Sequence, residues 1–275
     1  MAKNYMVTMP RDDRKLALKL MRYINSHDIH KWVIGAETGR NGYKHWQCRL
    51  RAPDDFFQIV TIEKVSYKTG WLAQNIPEAH CEECSDKWEY EIKEGHYIAS
   101  WDTMEARRQR FGKVRWAQKG VIEAVYKTND REIVYWYDET GNIGKSWLTG
   151  YLFESAQAYY LPPFMTSIQS MIQTLASMVL EDRKGGFPPR PLVVIDIPRS
   201  WKWSTELYVA IEAIKDGLII DPRYSARPIN IRGIKVLILT NTMPKLDKLS
   251  KDRWVQYDPV LHEMIWGKPE EPSQP

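Results

Sequence analysis

Tyr90 and Lys93 stand three residues apart in YEIKEG, and a tyrosine hydroxyl beside a lysine ammonium is a pairing that can attack a phosphodiester. On a helix both would lie on one face. A phenol with a pKa of about 10 is a poor nucleophile unaided, so a second group must polarise the phosphate. YKHWQCRL supplies one: His45 and Gln47 alternate on an expected strand, their side chains on one side of a sheet. With Glu37 from the preceding strand they form a mixed nitrogen and oxygen set that suits Mn²⁺ or Mg²⁺ better than zinc. Tyr97 is a rival nucleophile, on the strand after the helix and without the following lysine. A zinc reading of His80, Cys81, Cys84 and His96 rests on one CxxC without a second cysteine pair.

A second chemistry is written in GNIGKS, Gly141 to Ser146, where a strand meets a helix. Gly141 and Gly144 let the amides around Asn142 curl toward a phosphate. Lys145 neutralises the outer phosphates, and Ser146 can ligate Mg²⁺. Asp196, near the end of LVVIDI, is placed as a Walker B acid, and Asn241 follows the strand VLILT where it could touch the terminal phosphate or act only as a turn residue. Arg253 is either an arginine finger for a neighbouring subunit or a surface ion pair. Two positions depart from pattern. Glu139 holds the place of the usual first glycine, and Ile197 stands where many ATPases have a second acid.

These groups need two scaffolds. The N-terminal part reads as α+β: strands Tyr5 to Met9, Trp32 to Glu37 and Tyr43 to Arg51, a helix from about Asp12 to Ser26 capped by Asp12 or Asp13, and a helix from Ser85 to Glu94 ended by Gly95. The C-terminal part reads as α/β, with strands Ile133 to Tyr137, Leu192 to Ile195 and Val236 to Leu239 and helices Gln169 to Leu180 and Glu206 to Lys215. The expected organisation is a first domain over 1–103, a basic linker with a possible oligomerisation role over 104–126, a second domain over 127–266 and a disordered tail over 267–275.

At 275 residues, 43% hydrophobic and 27% charged, the chain has the composition of a folded soluble protein. It offers no apolar run long enough for a membrane span and no signal peptide. The odd set of three cysteines suits a reducing, intracellular compartment. The net charge of +4 permits a polyanionic partner without requiring one. Its densest patch is RRQRFGKVRWAQK, Arg107 to Lys119, where Phe111 and Trp116 interleave the cations. Such a segment is either a contact for phosphates and stacked bases, with import-signal potential, or a solvated linker.

The motifs taken in order resemble those of the replication-associated (Rep) proteins of circular single-stranded DNA viruses, in a compact form most similar to smacovirus Rep. YMVTMP, HWQ and YEIK resemble the three motifs of the first domain; GNIGKS, VVIDI and ILTN resemble those of the second. The resemblance implies an HUH endonuclease fold joined to a superfamily 3 helicase. It implies that Glu37, His45 and Gln47 carry the metal and that Tyr90, aided by Lys93, attacks origin DNA to leave a 5′-phosphotyrosine and a free 3′-OH. It further implies ATP with Mg²⁺ at the loop, a ring such as a hexamer with Arg253 at its interface, and a DNA-contacting hairpin over Arg223 to Gly233 with Arg227 and Arg232. Host replication machinery would be a partner, in the nucleus if the host is eukaryotic. Two rivals remain: an RNA-virus-type RNA helicase or NTPase with a nucleic-acid-binding N-terminal domain, and a non-enzymatic origin-binding protein. Unwinding RNA needs no Tyr90 set. A decayed loop would not keep Lys145, Ser146 and Asp196.

Overall fold

In KNYMVTMP, Tyr5, Val7 and Met9 are buried while their neighbours face outward, the period-two pattern of a strand with one covered face. In the computed structural model this is β1, Lys3–Pro10. The model describes residues 2–11, 14–39, 41–162, 167–221, 228–260 and 263–266, and it divides into two units, Met1–Phe111 and Gly112–Pro275. Asp12, Asp13, Arg227 and the 267–275 tail lie outside the described residues.

In the first unit, α1 (Lys15–Ser26), β2 (Trp32–Thr38), β3 (Lys44–Ala52), β4 (Gln58–Ile62), β5 (Val65–Thr69), α2 (Trp71–Asn75), β6 (His80–Glu83), β7 (Tyr97–Ala99) and α3 (Met104–Arg110) follow β1. The main sheet has the order β6-β1-β3-β2-β7, and every pairing is antiparallel. One face carries the core: Val7, Ile34, Cys48 and Leu50 pack on Leu20, Tyr23 and Ile24 of α1. The opposite face carries Glu37, His45, Gln47 and Arg49. The β4–β5 hairpin is a separate two-stranded ribbon, turning through left-handed Glu63 and Lys64.

The expected helix Ser85 to Glu94 is a single 3₁₀ turn, Tyr90–Ile92. Side-chain anchors displace the helix. Asp86 accepts from Lys31 at 2.9 Å and from Trp88 Nε1 at 2.5 Å, and the Ser85 carbonyl accepts from Arg49 Nη1 at 2.6 Å. Trp88 is buried with Val33 and Ala99, and Ile92 and Tyr97 pack against them. Because β6 and β7 lie at opposite edges, the connection 84–96 crosses the whole of this sheet face.

The second unit contains α4 (Trp116–Lys127), β8 (Ile133–Tyr137), α5 (Lys145–Glu154), β9 (Ala158–Leu161), α6 (Ile168–Lys184), β10 (Leu192–Ile197), α7 (Thr205–Asp216), β11 (Leu218–Ile220), β12 (Pro228–Asn230), β13 (Lys235–Thr240), β14 (Trp254–Asp258) and β15 (Glu263–Trp266). Its sheet runs β15-β14-β8-β13-β10-β9, parallel from β14 to β9. Both faces are covered, as continuous apolar runs such as LVVIDI require. Leu175 and Val179 of α6 and Leu207 and Ile211 of α7 cover one face; Val121 and Val125 of α4 and Leu148 and Leu152 of α5 cover the other.

The stretch expected as a linker is divided between the units. Arg110 is buried in the first, where it grips Asp102 with two hydrogen bonds of 2.8 and 2.9 Å and donates to the Tyr97 carbonyl. Arg107 turns inward to Asp102 and the Ala99 carbonyl. These two cations are used in packing rather than displayed, while Phe111 and Trp116 are exposed. Among the described residues no helix is long and apolar enough to cross a membrane.

Candidate active sites

Strand register builds the first site. Glu37 of β2 lies opposite His45 of β3, and Gln47 lies between Thr8 of β1 and Gly35 of β2. Glu37 is almost wholly buried, with Oε2 3.6 Å from His45 Nε2 and 2.5 Å from Lys93 Nζ. Burial pushes its carboxyl above the ordinary range, against the pull of Lys93. Oε1 is buried without a hydrogen bond. The Tyr43 carbonyl lies 3.2 Å from His45 Nδ1; the tautomer that donates to it is the one that frees Nε2, on the Glu37 side, for a ligand.

The unbonded Glu37 oxygen beside the His45 imidazole fits a divalent ion, with Gln47 as an oxygen donor. Gln47 is on the same face, but its amide oxygen accepts from Thr8 Oγ1 at 2.9 Å and so leans toward β1. No three His, Cys, Asp or Glu side chains gather into a metal cluster among the described residues. Cys81 of the rival zinc set faces the core, its thiol pushed up to about 12 by burial.

Tyr90 is 45% exposed, the accessibility a nucleophile needs. The Lys93 ammonium sits 3.3 Å from the centre of its ring while pairing with Glu37, so one cation joins the tyrosine to the carboxylate. Tyr97 is half-buried, its ring under Arg110 at 3.6 Å. Two features of this face are not legible as motifs. Arg49 makes a buried ion pair with Glu91 at 2.9 Å, and a Cβ at Gly35 would come within 2.4 Å of the Glu91 carbonyl.

The second site lies at the carboxyl ends of β8, β13 and β10, the usual place for a ligand on a parallel sheet. Gly141, Asn142 and Gly144 all have positive φ, which curls the loop around a cavity of roughly 330 Å³ lined by Gly141–Trp147 and Asn241. Asp196 pairs with Ser146, bringing the two expected Mg²⁺ ligands together. Burial raises the Asp196 carboxyl against that hydrogen bond and the nearby Lys145.

Asp138, directly after β8, is tied into this loop. Its Oδ2 accepts from the Gly141 amide at 2.6 Å and lies 3.3 Å from Lys145 Nζ, while its carbonyl accepts from Lys145 and from Asn241 Nδ2 at 2.7 Å. Burial raises its carboxyl, but Thr140, the Gly141 amide and Lys145 together hold it below the usual range. Glu139, in contrast, is exposed. Two further contacts went unread in the sequence: Arg199 donates to the Glu139 and Thr140 carbonyls, and Gln118 of α4 donates to the Gly144 carbonyl at 2.9 Å.

Arg253, expected at a subunit interface, is folded into its own domain. It is 5% exposed, with Asp216 at 2.8 Å and Glu212 at 3.3 Å, both on α7. Of the expected hairpin, residues 223–227 lie outside the described residues; β12 and Arg232 fall within it, β12 pairing with β11 and Arg232 with Asp130 at 3.1 Å.

No family model matches the chain. Among curated proteins it is 32% identical over 137 residues to Para-Rep C9 of Faba bean necrotic yellows C9 alphasatellite, covering 49% of this chain and 43% of that protein. It is 31% identical over 127 residues to Para-Rep C10 of Milk vetch dwarf C10 alphasatellite, covering 46% and 41%. The chain therefore aligns with less than half the length of these relatives. It is Rep-like, and the relatives found are alphasatellite proteins rather than smacovirus ones.

Proposed function

We propose that the chain is a rolling-circle replication initiator that nicks and rejoins single-stranded DNA through Tyr90 and unwinds DNA with ATP held at Gly141–Ser146. Likeness to the Para-Rep proteins supports the general reading. The observation that carries the nicking chemistry is the exposed Tyr90 ring joined through Lys93 to the buried Glu37 and His45. In this reading the first unit is an HUH endonuclease and the second a superfamily 3 helicase. Its strand order, with the loop-bearing β8 separated from Asp196 on β10 by β13, which Asn241 directly follows, supports the latter.

Tyr90 Oη attacks the scissile phosphorus as its proton departs, the bond to the 3′ oxygen breaks, and a 5′-phosphotyrosine forms beside a free 3′-OH. The reverse attack rejoins the strand. A divalent ion held by Glu37, His45 and Gln47 would polarise the phosphate. In the second unit Lys145 and the loop amides would hold the ATP phosphates, and Ser146 and Asp196 would hold Mg²⁺. The six motifs support a smacovirus-like branch. A ring, host replication partners and a nuclear site in a eukaryotic host complete the reading, with Arg253, paired here with Asp216 and Glu212, as the finger to be tested.

The test uses a randomised single-stranded library labelled at its 3′ end, incubated with the full chain and Mn²⁺ and then denatured. The label should travel with the protein and be lost in Tyr90→Phe. An adduct formed by Tyr90→Phe removes the nucleophile assignment, and no adduct with the wild-type chain removes the nicking reading.

A further inference from the structure

Glu91 follows Tyr90 directly, yet it is 1% exposed where Tyr90 is 45% exposed. Its carboxylate meets Arg49, which lies two residues beyond Gln47 on the same face of β3. The Arg49 guanidinium holds the crossing connection at two points, Glu91 Oε1 at 2.9 Å and the Ser85 carbonyl at 2.6 Å, and lies 5.9 Å from the Trp88 ring centre. Beneath it the turn rests on bare backbone. At Gly35 any side chain would meet the Glu91 carbonyl, since its Cβ would come within 2.4 Å.

A buried ion pair is a weak device for stability, because desolvating both charges offsets most of their attraction. This one also leaves Glu91 Oε2 buried without a hydrogen bond. The connection already has apolar anchors in Trp88 and Ile92. What the pair adds is direction. A 3₁₀ turn has three residues per turn, so turning Glu91 inward sends Tyr90 outward and stacks Lys93 on it, as the 3.3 Å approach of ammonium to ring records.

We propose that Arg49 and Glu91, seated on Gly35, are positioning residues that fix the rotation of the turn and thereby aim Tyr90 and Lys93 at the phosphate held over Glu37 and His45. The proposal rests on Tyr90 being the nucleophile. It places β3 in two roles, with His45 and Gln47 addressing the ion and Arg49 addressing the nucleophile's backbone.

The experiment uses the full chain, Mn²⁺ and a 3′-labelled oligonucleotide of the sequence recovered from the library adducts. Arg49→Met/Glu91→Leu replaces the pair by apolar groups and should melt within a few degrees of wild type. Its single-turnover adduct rate at saturating oligonucleotide should fall about a hundredfold, the scale of a misplaced nucleophile, while oligonucleotide Kd changes less than about threefold. Arg49→Lys keeps a buried cation but loses the planar fork whose Nε and Nη1 span the two anchors, and should lose about tenfold in rate. A wild-type rate in the folded double variant overturns the proposal, as does a loss wholly explained by Kd. If the double variant melts too low to assay, a wild-type rate in folded Arg49→Lys overturns it instead. Tyr90→Phe, run alongside, separates the two levels: an adduct there removes the nucleophile reading itself, whereas its absence together with undiminished Arg49 and Glu91 variants removes only the positioning claim.

Discussion

The two candidate sites follow opposite plans. The first is spread across the face of an antiparallel sheet, its members brought together by register and by a connection that crosses the strands. The second is a run of consecutive residues at the ends of parallel strands. Their resting states also differ. The first leaves a buried carboxylate oxygen of Glu37 without a hydrogen bond; the second has spent Lys145, Asn241 and the Gly141 amide on its own Asp138. The first site keeps one buried acceptor unpaired, while the loop already holds a carboxylate of its own.

The strongest test of that separation is Lys145→Ala, expected to reduce ATP hydrolysis by about a thousandfold while leaving adduct formation by the first unit unchanged. Equal loss of both activities in a folded variant would break the two-site account. Next, Glu37→Gln, or removal of divalent ions with EDTA, should lower the adduct rate by about a hundredfold with ATP binding by the Glu37→Gln variant unaltered. A nicking rate retained in Glu37→Gln would show that Glu37 serves structure alone, and one retained in EDTA would show that no divalent ion takes part.

A smaller effect probes the loop's internal anion. Asp138→Asn removes the charge facing Lys145 and the Gly141 amide, so nucleotide Kd should fall about tenfold, read by titration with a fluorescent ATP analogue. Weaker binding would mean that Asp138 shapes the loop rather than competing with phosphate. The smallest effect belongs to Glu139→Gly, which restores the usual loop residue. Because Glu139 is exposed, nucleotide Kd should change less than about twofold, and a larger gain would show that its charge reaches the phosphates.

This contrast also explains what could be read in advance. The loop was legible because its chemistry needs neighbours in sequence: two glycines, a lysine and a serine in six residues state both the turn and the ligand. His45, Gln47 and Glu37 were legible in part, since alternation gives a face, but the pull of Thr8 on Gln47 arises only from the β1–β3 register. Arg49 and Glu91 are 42 positions apart, and nothing local marks either as a partner. Local pattern misled between Ser85 and Glu94, where helix-compatible residues are tied down by Asp86, Trp88 and Arg49 and only Tyr90–Ile92 complete a turn. It misled again at Arg107 and Arg110, whose charge reads as a surface until Asp102 is seen beneath them.

The crossing of the sheet by residues 84–96 carries one more consequence. A connection fixed at both edges behaves as a span of set length, and Tyr90 rides near its middle. Its reach is then a matter of slack. One residue inserted between Cys84 and Glu89 would let the span bow and move Tyr90 relative to Glu37 and His45 without altering any of the three, so in the proposed reaction the count of residues in this stretch sets the rate as surely as their chemistry.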